Sequence, residues 1–210
     1  MHTWCMVAAG YVYKTGIKYM KRASIPALSV LIPTITERET EANALFRSLE
    51  KRVKGRNVEI IMLRENLLCG IGEARNKLLR AAGGKYITFL DDDDLLLEGY
   101  FELVLQNIDS DKDVITYDQW AVVDGDEGRI NCRLGHEIEP FRCGGVTKRP
   151  PWFWCVWRRE LACAYAVPQV RKNEDVLWLR HLWAEAETEA HIPQVLHRYQ
   201  FDSAKTTLQK

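Results

Sequence analysis

Four consecutive carboxylates, Asp91 to Asp94, are the residues of this chain best suited to chemistry. They follow the apolar run 85–90, whose composition predicts a buried strand of a parallel sheet. In open α/β sheets, ligands bind beyond the carboxyl ends of the strands. Because adjacent carboxylates repel each other and hard divalent cations prefer oxygen ligands, the four acids could hold Mg²⁺ or Mn²⁺ against a substrate diphosphate. The alternative is a solvated acidic loop before the next helix.

Two further motifs could contribute to a site. Glu174 and Asp175 precede a helical pattern, and the helix dipole alone would stabilise carboxylates at that position. The segment 69–76, Cys-Gly-Ile-Gly-Glu-Ala-Arg-Asn, opens another helix. A glycine turn of this kind can host an anion, but two glycines are also typical of a tight turn with a cap.

The elements that must position these residues alternate between strands and helices. Strands are predicted at 27–33, 58–63, 85–90, 113–117 and 191–199, with helices after Thr36, Gly72, Glu98, Arg158 and Asp175. A β-α-β order implies parallel strands with right-handed crossovers. Thr36 and Glu39 match a capping box. We expect the tryptophans of 152–157 to form mainly a core strand, with Trp152 and Trp154 on one face.

Composition limits the function classes. The chain has 210 residues, 47% of them apolar, which suits one domain. Lys and Arg total 29, as do Asp and Glu, so no global basic field points to nucleic acid. The six cysteines have no C-x-x-C or zinc spacing, so free thiols and a cytoplasmic location are expected. No apolar stretch reaches the ~18 residues of a transmembrane helix.

The domain boundaries are read from these patterns. We expect residues 1–24 to be a loose or disordered N-terminal extension, with Met20 as a natural start. Residues 25–203 form the domain and residues 204–210 a C-terminal tail.

Four segments together carry a family resemblance. Ser29-Val-Leu-Ile-Pro-Thr34, Gly72-Glu-Ala-Arg-Asn76, the run from Gly84 to Asp94 and Asn173-Glu-Asp175 occur in the order typical of family 2 glycosyltransferases. The chain resembles compact phage or bacterial members over about residues 27 to 200. The resemblance implies an α/β fold of the GT-A type, a Rossmann-like single domain whose mostly parallel central sheet is flanked by helices.

The resemblance also implies roles. It implies inverting transfer of a sugar from a nucleoside-diphosphate donor to an unidentified hydroxyl acceptor, with Mn²⁺ or Mg²⁺ as cofactor. Asp91 and Asp93 match the D-x-D metal motif, and His197 is a candidate third ligand. Asp175 matches the general base, with Glu174 beside it. The nucleotide-sugar candidates are Pro33, Thr34, Thr36, Arg38, Glu65, Gly72, Arg75, Asn76, Asp91 and Asp92. The acceptor candidates are Trp152, Trp154 and Arg158.

Departures from the family pattern leave alternatives open. Leu63-Arg-Glu-Asn66 replaces an Asp-Asp-Gly-Ser segment, so Glu65 or Asn66 would hold the nucleoside, with a UDP-sugar favoured. The acceptor would be a glycan, a lipid-linked molecule or another hydroxyl compound, bound by unpatterned residues 119–150. A nucleotidyltransferase and a non-catalytic nucleotide- or glycan-binding domain are the alternatives. A DNA acceptor gains no support from the zero net charge.

Overall fold

A twelve-stranded mixed sheet organises the computed structural model of the protein. The structure describes residues 25–65 and 70–203 in full, and the backbone of 5–8, 11–14 and 17–20. The strands are β1 (Cys5–Ala8), β2 (Tyr11–Lys14), β3 (Ile17–Met20), β4 (Leu28–Thr34), β5 (Val58–Arg64), β6 (Tyr86–Phe89), β7 (Leu95–Leu96), β8 (Val114–Val123), β9 (Asp126–Cys132), β10 (Val146–Arg149), β11 (Val156–Arg158) and β12 (Glu189–Phe201). The α-helices of the described residues are α1 (Glu39–Val53), α2 (Gly70–Ala81), α3 (Tyr100–Ile108), α4 (Arg159–Ala164) and α5 (Glu174–Glu185).

The strand order places the predicted strands at the centre of the sheet. It runs β1-β2-β3-β5-β4-β6-β11-β8-β12-β7, with β9 beside β8 and β10 beside β9. β4 is parallel to both β5 and β6, and β12 is parallel to β8. β11 is antiparallel to its two neighbours. The predicted α/β fold with a mostly parallel centre flanked by helices is confirmed.

The core follows from the apolar pattern of the strands and helix faces. Every residue of β4 and β6 is buried, as expected for strands covered on both faces. Helix α1 packs against the sheet through Ala42, Phe46, Leu49 and Val53, the face predicted from 3.6-residue spacing.

A short strand fixes the end of the acidic run. β7 begins directly after Asp94 and pairs antiparallel with β12, with Leu96 opposite His197. Arg52 of α1 donates to the carbonyl oxygens of Leu96 and Leu97, both at 2.6 Å. The acids are therefore anchored on both sides, by β6 before them and by β7 after them.

Three local predictions are wrong. A 3₁₀ turn at Thr36–Arg38 precedes α1, and Arg38 occupies its N-cap position without a side-chain cap, so the capping box does not form. Residues 151–155 are irregular, with a turn at 153–154, and only Val156–Arg158 is a strand, because Pro150 and Pro151 cannot donate to a ladder. The supposedly unpatterned residues 119–132 form most of the β8–β9 hairpin, which turns at Asp124 and Gly125.

The N-terminal segment contributes strands. β3 pairs antiparallel with β5, with Tyr19 opposite Ile61, and β1 and β2 continue outward from it. The described part of residues 1–24 thus extends the sheet. The boundary at residue 25 stays a prediction, and Asn66 and the tail 204–210 lie outside the described residues.

Candidate active site

The carboxyl ends of three parallel strands meet at one edge of the sheet. β4 ends at Thr34, β5 leads to Glu65, and β6 leads to the acids that begin at Asp91. The backbone N–H of Glu65 donates to the carbonyl of Thr34 at 3.1 Å. The Glu65 carboxylate pairs with Lys77 of α2. The edge predicted for ligand binding is therefore built mainly from the predicted residues.

The middle acids are held by residues from the end of β4 and the turn after it. The Thr34 hydroxyl donates to Oδ2 of Asp92 at 2.6 Å. The Arg38 guanidinium lies 3.0 Å from Oδ1 of Asp92 and 2.7 Å from Oδ2 of Asp93. Thr34 and Arg38, which were expected to bind nucleotide, thus orient the acidic run. Thr36 is exposed on the same turn, and Pro33 is buried within β4.

Arg75 connects the acidic run to the pair at the start of α5. Its side chain is 5% exposed, and Nη1 lies 2.7 Å from Oε1 of Glu174 while Nη2 lies 3.6 Å from Oδ1 of Asp91. The guanidinium also lies over the Phe153 ring, 4.6 Å from its centroid. Burial raises the pKa of Glu174, and the charge of Arg75 opposes that rise. Glu174 is thus engaged in an ion pair, which suits a positioning role better than a catalytic one.

Asp175 is the carboxylate of this pair that is free to meet a substrate. Asn173 has a positive φ of 61°, which turns the chain into α5. Asp175 follows in the first turn, half-buried, with Oδ1 accepting from the N–H of Val176 at 2.8 Å. A carboxylate with its second oxygen available can accept a proton from a bound hydroxyl.

The acids suit a divalent cation. Asp91 and Asp93 keep 31% and 44% of their side-chain surface exposed. Burial raises the pKa of Asp91 to about 7, Arg75 opposes the rise, and the neighbouring aspartates add to it. A cation would relieve this crowding of charge. Two carboxylates, with the remaining positions filled by substrate phosphates and water, are the donor set that Mg²⁺ commonly uses.

His197 lies beside Asp94, the last carboxylate of the acidic run. It is fully buried, with Nδ1 2.7 Å from Nε2 of Gln119. Its Nε2 lies 3.2 Å from Oδ2 of Asp94, an ion-pair distance without hydrogen-bond alignment. Within the part of the chain that the structure describes, no three His, Cys, Asp or Glu residues are placed to hold a metal. His197 is thus a buried neighbour of Asp94, and its role as a metal ligand stays a prediction.

Two other predicted nucleotide ligands, Asn76 and Gly72, contact the loop that leads to α5. The Asn76 side chain donates to the carbonyl of Val167 and accepts from its N–H, both at 2.8 Å. A Cβ on Gly72 would lie 2.3 Å from the carbonyl oxygen of Pro168. Both residues thus hold α2 against the segment that leads to α5. The lack of a side chain at Gly72 and the amide of Asn76 thus help to position the segment that leads to Asp175.

The three predicted acceptor residues lie in different parts of the structure. Arg158 pairs with Asp111 and Asp113 at the opposite edge of the sheet, where β11 meets Tyr86, so it does not reach the site. Trp154 is 4% exposed and stacks on the His197 ring at 5.3 Å, which makes it core. Trp152 is half-buried and remains available.

Sequence reasoning missed one neighbour of the site, Tyr199. Tyr199 lies two residues beyond His197 on β12 and therefore shares its face. Burial raises the pKa of Tyr199, and the charges of Asp94, Asp91, Asp93 and Asp175 raise it further, so its hydroxyl lies in the field of both acidic groups. The alternation of side chains between the two faces of β12 could have predicted that Tyr199 lies on the same face as His197.

Comparison with known proteins settles the family. The model of the family described as "Glycosyl transferase family 2" matches residues 29–161, which include the acidic run. The chain belongs to this family. It therefore carries the domain of a glycosyltransferase enzyme, and the resemblance inferred from four segments is confirmed.

One curated relative of the family 2 domain is the "Minor teichoic acid biosynthesis protein GgaB" of Bacillus subtilis (strain 168). The two are 52% identical over 83 residues, which is 39% of this chain and 9% of GgaB. The chain therefore spans about a tenth of that relative.

Solved structures of S. aureus TarS share the fold. TarS 1–349 in complex with UDP-GlcNAc matches with a TM-score of 0.58 and 16% identity, covering 84% of this chain and 59% of TarS 1–349. TarS 1–349 in complex with UDP matches with a TM-score of 0.56 and 16% identity, covering 84% of this chain and 61% of the other. The GT-A type of fold is thus supported by structure as well as sequence. Among the described residues, no helix is both long and apolar enough to span a bilayer.

Proposed function

We propose that the protein is an inverting, metal-dependent glycosyltransferase that moves a sugar from a UDP-sugar to a hydroxyl acceptor. The observation that carries the proposal is the pair of contacts that Arg75 makes with Asp91 and Glu174. These contacts join the acidic run to the start of α5. One side of this arrangement suits a cation and a diphosphate. The other side offers Asp175 as a base. The donor assignment is supported by the TarS complexes with UDP-GlcNAc and UDP.

The proposed chemistry is a single displacement. The acceptor oxygen forms a bond to the anomeric carbon while the bond from that carbon to the diphosphate oxygen breaks. The acceptor proton passes to the Asp175 carboxylate, a contribution of about 10²–10⁴-fold in rate. A cation held by Asp91 and Asp93 would supply Lewis-acid stabilisation of the departing diphosphate. Attack from the face opposite the leaving group inverts the anomeric centre.

The acceptor class is suggested by the sequence relative. GgaB is by its name a protein of minor teichoic acid biosynthesis, and the chain matches 83 of its residues at 52% identity. Teichoic acids are polymers of polyol phosphates. We therefore propose a hydroxyl of a polyol phosphate as the acceptor.

The test of the function is a calorimetric titration with UDP, with and without Mn²⁺, followed by measurement of UDP-sugar turnover. We expect binding that requires the cation and is lost in Asp93→Ala. Asp175→Asn should bind UDP as tightly as the wild type and lose about 10²-fold or more in turnover.

Two results would exclude the proposal. Release of pyrophosphate instead of UDP would identify a nucleotidyltransferase. Binding of UDP without turnover in the presence of polyol phosphates would favour a non-catalytic binding domain. Lys148→Gln, which changes an exposed cation outside the acid cluster, serves as the control for folding and general charge effects.

A further inference from the structure

Arg149 is a half-buried cation without an acidic partner among the described residues. It ends β10, opposite Cys132 of β9, and two prolines follow it. Its Nε is fully buried and has no hydrogen-bond partner. Burial lowers the pKa of its guanidinium, and the two groups that act in the other direction are Cys132 and Tyr199, both uncharged at neutral pH. A guanidinium in such surroundings is stabilised by an anion brought by a ligand.

The position of this guanidinium is fixed by an aromatic pair. Its carbon Cζ lies 5.5 Å from the centroid of the Trp152 ring. Trp152 packs against Trp183 of α5 at 5.8 Å, and the Trp183 indole donates to the carbonyl of Pro151 at 2.6 Å. Arginine stacked on an aromatic face keeps its planar fork of donors available for bidentate contact with phosphate. The site is therefore preorganised.

Three relationships connect the surroundings of Arg149 with the proposed active site. Trp152 adjoins Phe153, whose ring lies under Arg75. Trp183 lies on the same helix as Asp175, eight residues on, or about 12 Å along the axis. Tyr199 lies in the electrostatic field of Asp175 and also interacts with Arg149. Arg149 is thus linked, through Trp152 and Tyr199, to residues that surround the proposed active site.

The charges of the site explain what such a cation would do. Arg38 and Arg75 are occupied by the carboxylates of the acidic run and by Glu174. An acceptor that carries phosphate would be repelled by these acids as it approached Asp175. Among the described residues, no carboxylate neutralises the guanidinium of Arg149. It can therefore offset that repulsion.

We propose that Arg149, stacked on Trp152, binds a phosphate group of the acceptor and selects phosphate-bearing acceptors over neutral ones. The inference rests on the proposed function. The other source of a phosphate at this position is the diphosphate of the donor. Both sources share the same chemistry, so the experiment must separate them.

The test uses glycerol 3-phosphate and glycerol as probes of the acceptor and UDP with Mn²⁺ as the probe of the donor. The Nε–Hε signal of Arg149 in an NMR spectrum is assigned by its loss in Arg149→Lys. We expect glycerol 3-phosphate to shift this signal and glycerol to leave it in place. Arg149→Gln should weaken glycerol 3-phosphate binding roughly tenfold to a hundredfold, because a hydrogen bond to a charged group is lost. UDP affinity should stay within about twofold of the wild type.

Matched variants make the outcome decisive. Lys148→Gln removes the neighbouring, exposed charge of the same strand and should change phosphate binding less than about twofold, as expected for a screened surface charge. Arg149→Lys keeps the charge, loses the planar fork and should bind with intermediate affinity. Thermal unfolding of each variant confirms that it is folded.

Several results would overturn the inference. Equal weakening by Lys148→Gln would show a general charge effect, and an unchanged affinity in Arg149→Gln would remove the residue from the site. A fall in UDP affinity in Arg149→Gln would assign the residue to the donor diphosphate. Failure of the wild-type protein to bind UDP would instead reject the proposed function, since the response of Arg149 to glycerol 3-phosphate is measured without donor or turnover.

Discussion

Nη1 of Arg75 lies 2.7 Å from Oε1 of Glu174, a residue 99 positions further along the chain. Both side chains are largely buried, at 5% and 10% exposure. A buried ion pair of this kind is weak evidence for net stability, because desolvation opposes the attraction. Removal of only one partner should nevertheless be destabilising, because the charge of the other partner stays buried without compensation.

Arg75→Met should therefore be strongly destabilising. Loss of the cation leaves Glu174 buried and uncompensated, at a cost of about 3–5 kcal/mol in the free energy of unfolding. Urea denaturation measures this. The control is Arg80→Met, which removes a pair with Glu73 from a side chain that is 63% exposed, and should change the free energy by about 0–1 kcal/mol. A loss in Arg75→Met no larger than that in Arg80→Met would contradict the prediction.

The sequence could predict the strands and the position of the acids, but not the ion pair of Arg75 with Glu174. The strands β4, β5 and β6 and the position of the acids follow from local apolar runs and from the geometry of parallel sheets. The ion pair of Arg75 with Glu174 depends on where α2 and α5 pack, which no local pattern specifies.

The same reason explains why the internal contacts of Asn76 and His197 could not be predicted. Asn76 and His197 are residue types that often bind ligands, and the sequence does not show that Val167 and Asp94 occupy them. The resemblance to a family supplied the site as a whole, whereas tertiary contacts decided the role of each side chain.

Gly72→Ala should reverse the usual effect of this substitution in a helix. In an ordinary helix interior, alanine is more favourable than glycine by about 1 kcal/mol. Here the new Cβ would lie 2.3 Å from the carbonyl oxygen of Pro168, so α2 or the segment leading to Asp175 must move. We expect a loss of about 1–3 kcal/mol in the free energy of unfolding and a fall in turnover.

Gly83→Ala is the matched control for this substitution. Its Cβ would meet its nearest neighbour, Oε1 of Glu59, at an ordinary 3.5 Å. Denaturation should show an unchanged or slightly increased stability, by about 0.4–1 kcal/mol. Equal stability of the two variants would mean that the contact with Pro168 relaxes at no cost.

The effect of a divalent cation on stability should depend on pH. The pKa of Asp91 is raised to about 7 in the folded protein, mainly by burial. The folded state therefore binds more protons than the unfolded state between about pH 4 and 7, and stability falls as pH rises through this window. A bound cation takes the place of the proton. Mn²⁺ should thus raise the melting temperature more at pH 8 than at pH 5.5.

Calorimetric melting curves at the two pH values, with and without Mn²⁺, test this. Asp91→Asn is the informative variant, because it removes the carboxylate that titrates. It should flatten the pH dependence and reduce the gain from Mn²⁺. An equal gain at both pH values in the wild type would show that Asp91 does not bind the cation.

His197→Leu separates an internal role from metal binding. Loss of the imidazole leaves the buried carboxylate of Asp94 without the group that now lies 3.2 Å away. Burial already raises the pKa of Asp94, and the charge of His197 opposes that rise. We expect the variant to lose about 3 kcal/mol in the free energy of unfolding, since a buried charged acceptor loses its partner.

Mn²⁺ affinity in the presence of UDP should be retained within about threefold, whereas removal of a metal ligand would cost far more. The double variant Asp94→Asn with His197→Leu should recover part of the lost stability, because the unpaired charge is gone. A large fall in Mn²⁺ affinity without a loss of stability would return His197 to the metal site.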